Sequence, residues 1–146
     1  MPEHTTLSRF LDAQQKMYAT ALSEITAGRK QTHWMWFIFP QIQGLGFSET
    51  SRYYAIKDIK EASAFLQHPI LGSRLITIST ALQQLKGITA SKILGIPDDL
   101  KLQSSMTLFA ALPDAHLVFQ AVLEKFFSGK KDEKTQRILE RNTNET

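Results

Sequence analysis

Three groups of polar residues stand among apolar ones in patterns that can do chemistry. The first is Asp98-Asp99, Lys101, Ser104, Ser105 and Thr107. On a helix, Lys101 shares a face with both Asp98 and Ser105, three and four positions away, so a carboxylate, an ammonium and a hydroxyl can converge. Such a trio suits general acid or base work on a phosphorylated or glycosidic substrate: Asp98 or Asp99 moves a proton while Lys101 holds an oxyanion or phosphate. The same residues also describe a capped helix start with an ion pair, which requires no function. The second group is His33, Trp34, Trp36 and Gln41, whose ring and amide groups need partners when buried and can reach from the core into a cleft. The third is Gly44 and Gly46 ahead of Ser48, a flexible turn before a helix N-terminus able to hold an anion through free N–H groups. An ordinary loop has the same pattern. Arg74 is a further candidate cation, whereas His68, just before Pro69, reads as a capping or packing group.

The element that positions these groups is the run from Thr32 to Ser48. His33 to Pro40 includes six large apolar side chains, and burying one of the Leu or Phe class is worth roughly 1.5 to 3 kcal/mol. Periodicity does not decide its conformation, because helix and strand both leave apolar groups on opposite sides. A helix capped by Thr32 and ended by Pro40, Gly44 and Gly46 is expected. Trp36 is expected in the core, where truncation to Ala costs on the order of 3 to 5 kcal/mol.

The rest of the chain reads as helices. Leu7, Phe10, Met17, Tyr18, Ala21, Leu22 and Ile25 recur at three- and four-residue intervals up to Gly28, an amphipathic helix with a glycine stop. Ser48 and Asp58 are expected helix starts, the first continuing through Tyr53 to Ile56, the second opening with capping-box spacing to Glu61. Pro69 is expected in the first turn of a helix that carries Leu71, Leu75, Ile78, Leu82 and Leu85. Thr89 opens a short segment closed by Gly95, Pro97 a helix through Phe109, and Pro113-Asp114 another that Gly129 ends. A turn or two from Asp132 follows. No hairpin signal, βαβ alternation or repeat is visible. The expected fold is all-α, a multihelical bundle of about six to eight helices forming a single domain over residues 1–141, with a frayed tail at 142–146.

Composition narrows the function. At 42% hydrophobic and 21% charged residues, the chain has the make-up of a folded soluble domain rather than a disordered one. No apolar run reaches the 18 or so residues of a membrane span, and no secretion signal opens the chain, so no membrane partner and a cytoplasmic location are expected. The absence of cysteine excludes disulfides, thiolate catalysis and Cys-ligated metals. No histidine–carboxylate cluster has metal-ligand spacing, and no phosphate loop or dinucleotide fingerprint occurs, so neither metal nor cofactor is expected. A net charge of +3, scattered apart from Arg29-Lys30 and Lys130-Lys131, argues against nucleic-acid binding.

Several blocks taken in order resemble one family. They are Gly28-Arg-Lys, His33-Trp-Met-Trp-Phe-Ile-Phe-Pro-Gln41, Gly44-Leu-Gly46 with Ser48 and Ser51, His68-Pro-Ile-Leu-Gly72 with Arg74-Leu75, Pro97-Asp-Asp-Leu-Lys101, and Ser104-Ser-Met-Thr-Leu-Phe109. Together they resemble the bacterial family known as domain of unknown function 1810, from about Leu7 to Leu139. The resemblance implies a small, mainly helical fold and no particular activity. The calpastatin label often attached to members denotes a disordered inhibitor, which this apolar content does not suit. In size, helical character and Trp-rich motifs the chain is also similar to proteins that process ADP-ribose-linked or N-glycosidic nucleotides, although no motif of theirs transfers. The residues therefore support a pocket for a small anionic ligand, nucleotide-like or sugar-phosphate, with hydrolase chemistry as an extension. The competing reading is a structural or interaction module, such as a homodimer, without catalysis.

Overall fold

Ser48, Asp58 and Thr89 each accept a hydrogen bond from the backbone N–H three residues on, so three helices begin where side-chain oxygens can satisfy otherwise unpaired donors. At the other kind of terminus, Gly28 has φ +82°. Its N–H bonds to the Ile25 carbonyl while that of Arg29 reaches the Glu24 carbonyl, the paired bonds of a Schellman stop. The computed structural model describes residues 2–144. Among them lie nine helices: α1 (Pro2–Thr26), α2 (Met35–Ile38), α3 (Glu49–Tyr53), α4 (Ile59–Gln67), α5 (Leu71–Gln84), α6 (Ala90–Leu94), α7 (Asp98–Ala110), α8 (Leu117–Phe127) and α9 (Glu133–Asn144). The fold is all-α, as the sequence pattern implies. One parallel bridge joins Ile42 to Ile56, with the Gln43 N–H donating to the Ile56 carbonyl at 2.7 Å and the Ile56 N–H to Gln41 at 2.8 Å.

Several elements differ from expectation for identifiable reasons. The Trp run supplies one helical turn rather than a helix from His33 to Pro40, because Thr32 is drawn to Glu24 instead of capping. The helix from Ser48 stops at Tyr53, and Ile56 pairs with the Gln41–Gln43 segment. Pro69 lies in the turn before α5, where Nδ1 of His68 accepts the N–H groups of Ile70 and Leu71. His116, not Pro113-Asp114, starts α8 by accepting the Val118 N–H on Nδ1 at 3.0 Å. The last helix extends to Asn144 instead of a turn or two past Asp132. Of the tail expected to fray, Glu145 and Thr146 lie outside the described residues. The count exceeds six to eight because α2, α3 and α6 are single turns.

The core gathers side chains from eight of these helices, α3 excepted. Helix α7 packs against α8, α6 and α9, while α5 packs against α1, α4 and α8. A file of rings crosses it: Phe10 meets Phe65 edge-on at 5.0 Å, Phe65 meets Phe109 at 5.5 Å, and Phe109 meets Phe119 at 5.8 Å. Such pairs add about 0.5 to 1.5 kcal/mol each beyond the area they bury. A polar tie complements it. The Arg9 guanidinium donates to both Glu61 carboxylate oxygens and to the carbonyls of Tyr53 and Ala55, joining α1 to α4 and to the end of α3. No helix among the described residues is long and apolar enough to cross a membrane.

Helices α4 and α5 approach so closely that Gly72 has no substitute. A Cβ there would lie 1.8 Å from the Leu66 carbonyl oxygen, and backbone cannot yield as a side chain does. Gly72→Ala is expected to destabilise the protein by about 1 to 3 kcal/mol or more through forced separation of the two helices. Urea unfolding of both proteins measures the loss, and an unchanged midpoint would contradict the close approach.

Candidate functional site

A carboxylate absent from the sequence-based candidates arranges the tryptophan run. Glu24, in the last turns of α1, accepts the Gln31 and Thr32 N–H groups at 2.8 and 3.1 Å and the Trp34 indole N–H at 2.8 Å on Oε1. Its Oε2 accepts the Thr32 hydroxyl at 2.8 Å. Desolvation pushes the Glu24 pKa up, but the donors from Gln31, Trp34 and Thr32 together outweigh it and hold the pKa at about 2. Trp34 is thereby fixed with no exposed surface, whereas Trp36, expected in the core, is only half-buried. The reason is local: the indole of Trp34, not that of Trp36, has an acceptor waiting inside.

The Trp36 side of the run carries a closed charge network. Asp98 Oδ2 lies 3.1 Å from Lys30 Nζ and its Oδ1 3.5 Å from Lys101 Nζ. Lys30 lies 5.2 Å from the Trp34 ring centroid and Lys101 5.5 Å from that of Trp36, distances at which a cation is attracted to the ring face. Asp98 is thus the counterion of two lysines that cover two indoles. Asp99 accepts the Leu100 N–H and stands apart from this network. Trp36, Gln41, Gly46 and Ser51 border a dent of about 10 Å³, room for a water at most. Gly46 is packed onto α3, since a Cβ would lie 2.6 Å from that of Ser51. Ser48 is occupied in capping α3 and bonding the Ser51 hydroxyl. His33 is exposed on the adjoining loop.

Other candidates lie elsewhere. Arg74 sits 5.1 Å from the Tyr18 ring centroid and donates to Gln14 at 3.4 Å, at the α1–α5 contact. Ser105 is wholly buried, so it does not meet Lys101 outside the core. Ser104 donates to Asp132 at 3.1 Å and Thr107 accepts the Asp132 N–H at 2.9 Å, which anchors the start of α9 to α7.

Gly44 belongs to a different and larger space. It lines a cleft of about 500 Å³ with Gln43 and Leu45 on one wall and Lys134, Arg137, Ile138, Arg141 and Asn142 on the other. The second wall is one face of α9, repeating at three- and four-residue intervals. Gly44 has φ +109°, and a Cβ would sit 3.2 Å from Ile138 Cδ1, so the loop closes tightly over the helix. The lining contains three cations and no carboxylate. Glu133 meets Arg137 only at 3.7 Å, with both side chains largely in water, where such a pair contributes about 0 to 1 kcal/mol. The sequence pattern, which implies only a turn or two after Asp132, does not show that Lys134, Arg137 and Arg141 repeat along one face of a longer helix or that a loop lies opposite them. The space between α4, α5 and the Leu112–Leu117 loop is larger, about 720 Å³, and mainly apolar, with Ser63, Asp114 and His116 at its wall. Nδ1 of His116 is committed to the Val118 N–H, so in the neutral ring the other nitrogen carries the proton and donates rather than acting as a base. Among the described residues no three His, Asp or Glu side chains gather as a metal site.

Glu24 makes the acid side of the stability profile testable. Its folded pKa, about 2, lies below the ordinary 4.5, so its contribution is fully present above about pH 5 and is lost as pH falls towards 2. Glu24→Gln should flatten that part of the profile while lowering stability at pH 7. A melting-temperature series from pH 7 to 2.5 on both proteins checks this, and parallel profiles would rule out the Glu24 tie.

Among curated proteins none matches the chain. The conserved hypothetical protein Rv1873 from Mycobacterium tuberculosis, known from its crystal structure, is similar to it at 46% identity with a TM-score of 0.90, over 92% of this chain and 96% of that one. A family model described as protein of unknown function (DUF1810) matches residues 4–139, and on that match the chain belongs to this family.

Proposed function

We propose that the protein binds a small anionic ligand, of nucleotide or sugar-phosphate size, in the cleft between the Gln43–Leu45 loop and the basic face of α9. The observation that carries this is the lining itself: Lys134, Arg137 and Arg141 face a space of about 500 Å³ with no acidic residue in the wall. That volume is within the range of about 300 to 1,000 Å³ usual for ligand sites. Arg137 and Arg141 are four residues apart on a helix, which brings their Cβ atoms to about 5 to 6 Å. Two guanidinium forks at that spacing suit the oxygens of a phosphate or carboxylate.

Binding is better supported than hydrolysis. Of Asp98 and Lys101, the groups best suited to proton transfer, Asp98 is paired with both Lys30 and Lys101, and neither lines the cleft. A second reading, an interaction module such as a homodimer, draws on the open apolar groove of about 720 Å³ beside Leu117, a residue that leaves 85% of its surface in water. Native mass spectrometry separates the two: a retained small molecule on a monomer favours the first, a ligand-free dimer the second.

Arg141→Met keeps most of the apolar stem and removes the charge. Calorimetry with ribose 5-phosphate should show affinity reduced by about 1.5 to 3 kcal/mol, the worth of a hydrogen bond to a charged group. Melting temperature should barely change, because the side chain is exposed. If Lys101→Met abolishes binding and Arg141→Met does not, the ligand lies over Trp36 and the cleft assignment is wrong. If the parent binds no phosphate-bearing compound, the anionic-ligand reading fails.

A further inference from the structure

Besides its cations the α9 cleft is lined by two neutral amides, the exposed Gln43 and the less exposed Asn142, and the second is one that an anion grip does not require. The side-chain nitrogen of Asn142 has almost no contact with solvent and no hydrogen-bond partner among the described residues, and the residue itself is part of the cleft wall with Arg141 and Ile138. Burying an amide donor unpaired is costly, and buried polar groups in folded proteins are almost always satisfied. A position on the rim of a terminal helix accepts many residues that avoid that cost, so an orphan donor here suggests a partner that arrives from outside.

The depth of each group indicates which part of the ligand it meets. Lys134, Arg137 and Arg141 are exposed, with long side chains that hold their charges in the watery mouth. Asn142 is shorter, with its nitrogen out of water, next to Ile138 and the Gly44 turn. A phosphate is strongly hydrated and is cheaper to hold at the exposed mouth than to strip of water deeper in. A neutral carbonyl oxygen or aromatic ring nitrogen gives up its water more readily and matches a neutral amide donor. Resting on the anionic-ligand reading above, we infer that Asn142 is a specificity-determining residue. Its amide N–H donates to a neutral acceptor on the same molecule whose anionic group Arg137 and Arg141 hold. The ligand class is then a phosphorylated compound with a carbonyl-bearing or nitrogen-heterocyclic ring, not a bare sugar phosphate.

The test compares uridine 5′-monophosphate with ribose 5-phosphate, by calorimetry, on the full-length protein and on Asn142→Leu and Asn142→Ala. The parent should prefer the uridine compound by roughly threefold to tenfold, the worth of one neutral hydrogen bond. Both variants should lose that preference, the ratio of the two affinities being the readout rather than either affinity alone. The ligand-free melting temperature of Asn142→Leu should be equal to or above that of the parent, since no bond is broken and an unpaired donor is removed. A preference that survives in both variants, a parent that does not discriminate, or a clear loss of ligand-free stability in both variants overturns the role of Asn142. In those cases ribose 5-phosphate binding still sustains the anion cleft. If neither compound binds the parent, both the cleft reading and this inference fall.

Discussion

The arrangement of the aromatic run depends on one carboxylate that takes four donors from three residues, Gln31, Thr32 and Trp34. Residues 31 to 34 approach Glu24 as a chain folding back on the helix it has just left, and the bond from the Trp34 indole comes with complete burial of that ring. A buried indole N–H left unpaired would cost about 1 to 3 kcal/mol, so the acceptor and the burial are one requirement. The same bonds remove Thr32 from any capping role and leave Met35–Ile38 as a single turn. Phe37, Ile38 and Phe39 then enter the core in order, while Trp36 is left facing outwards beneath the Lys101 ammonium.

This explains what could be read from the sequence and what could not. Local devices were legible: the oxygens of Ser48, Asp58 and Thr89, the glycine stop after α1 and the all-α class depend on residues within a few positions of each other. The Asp98–Lys101 pair was legible too, from helical spacing alone. Partners distant in sequence were not. Glu24 looks like a polar-face residue of an amphipathic helix, and Lys30 is separated from Asp98 by 68 positions, so no local pattern reveals either tie. Nor does helical spacing say which faces are covered: Lys101 and Ser105 share a flank of α7, but the serine is sealed in the core while the long lysine stem carries its charge out to Trp36.

Helix α9 was underestimated for a related reason. Beyond Leu139 it holds only Glu, Arg, Asn and Thr, so no apolar repeat signals its length. Residues of this kind extend a helix that is already nucleated by packing, and Thr135 and Leu139 provide that packing. Gly44 was legible as a turn residue, but its neighbours in the cleft come from about 90 positions away. A basic face on a polar helix looks like ordinary solvated surface until a loop is seen closing over it.

The hydroxyls that looked catalytic therefore matter to the cleft in another way. Asp132 is bound by Ser104 and by both the N–H and the hydroxyl of Thr135, while its own N–H goes to Thr107. Thr107 in turn donates to the Gln103 carbonyl at 2.7 Å, and the Gln103 amide reaches the Lys130 carbonyl at 2.8 Å. These bonds fasten the start of α9 to α7 at Asp132, two residues before Lys134, Arg137 and Arg141 begin their repeat. A helix held at its N-terminus transmits that position along its axis at about 1.5 Å per residue, so a shift at Asp132 would carry through to Arg141 and alter the separation of the cationic wall from Gly44. Polar groups in this chain thus serve the candidate site mostly by being satisfied elsewhere: the cleft is made by an anchor on α7, a close-packed glycine loop and the exposed charges that the anchor leaves free.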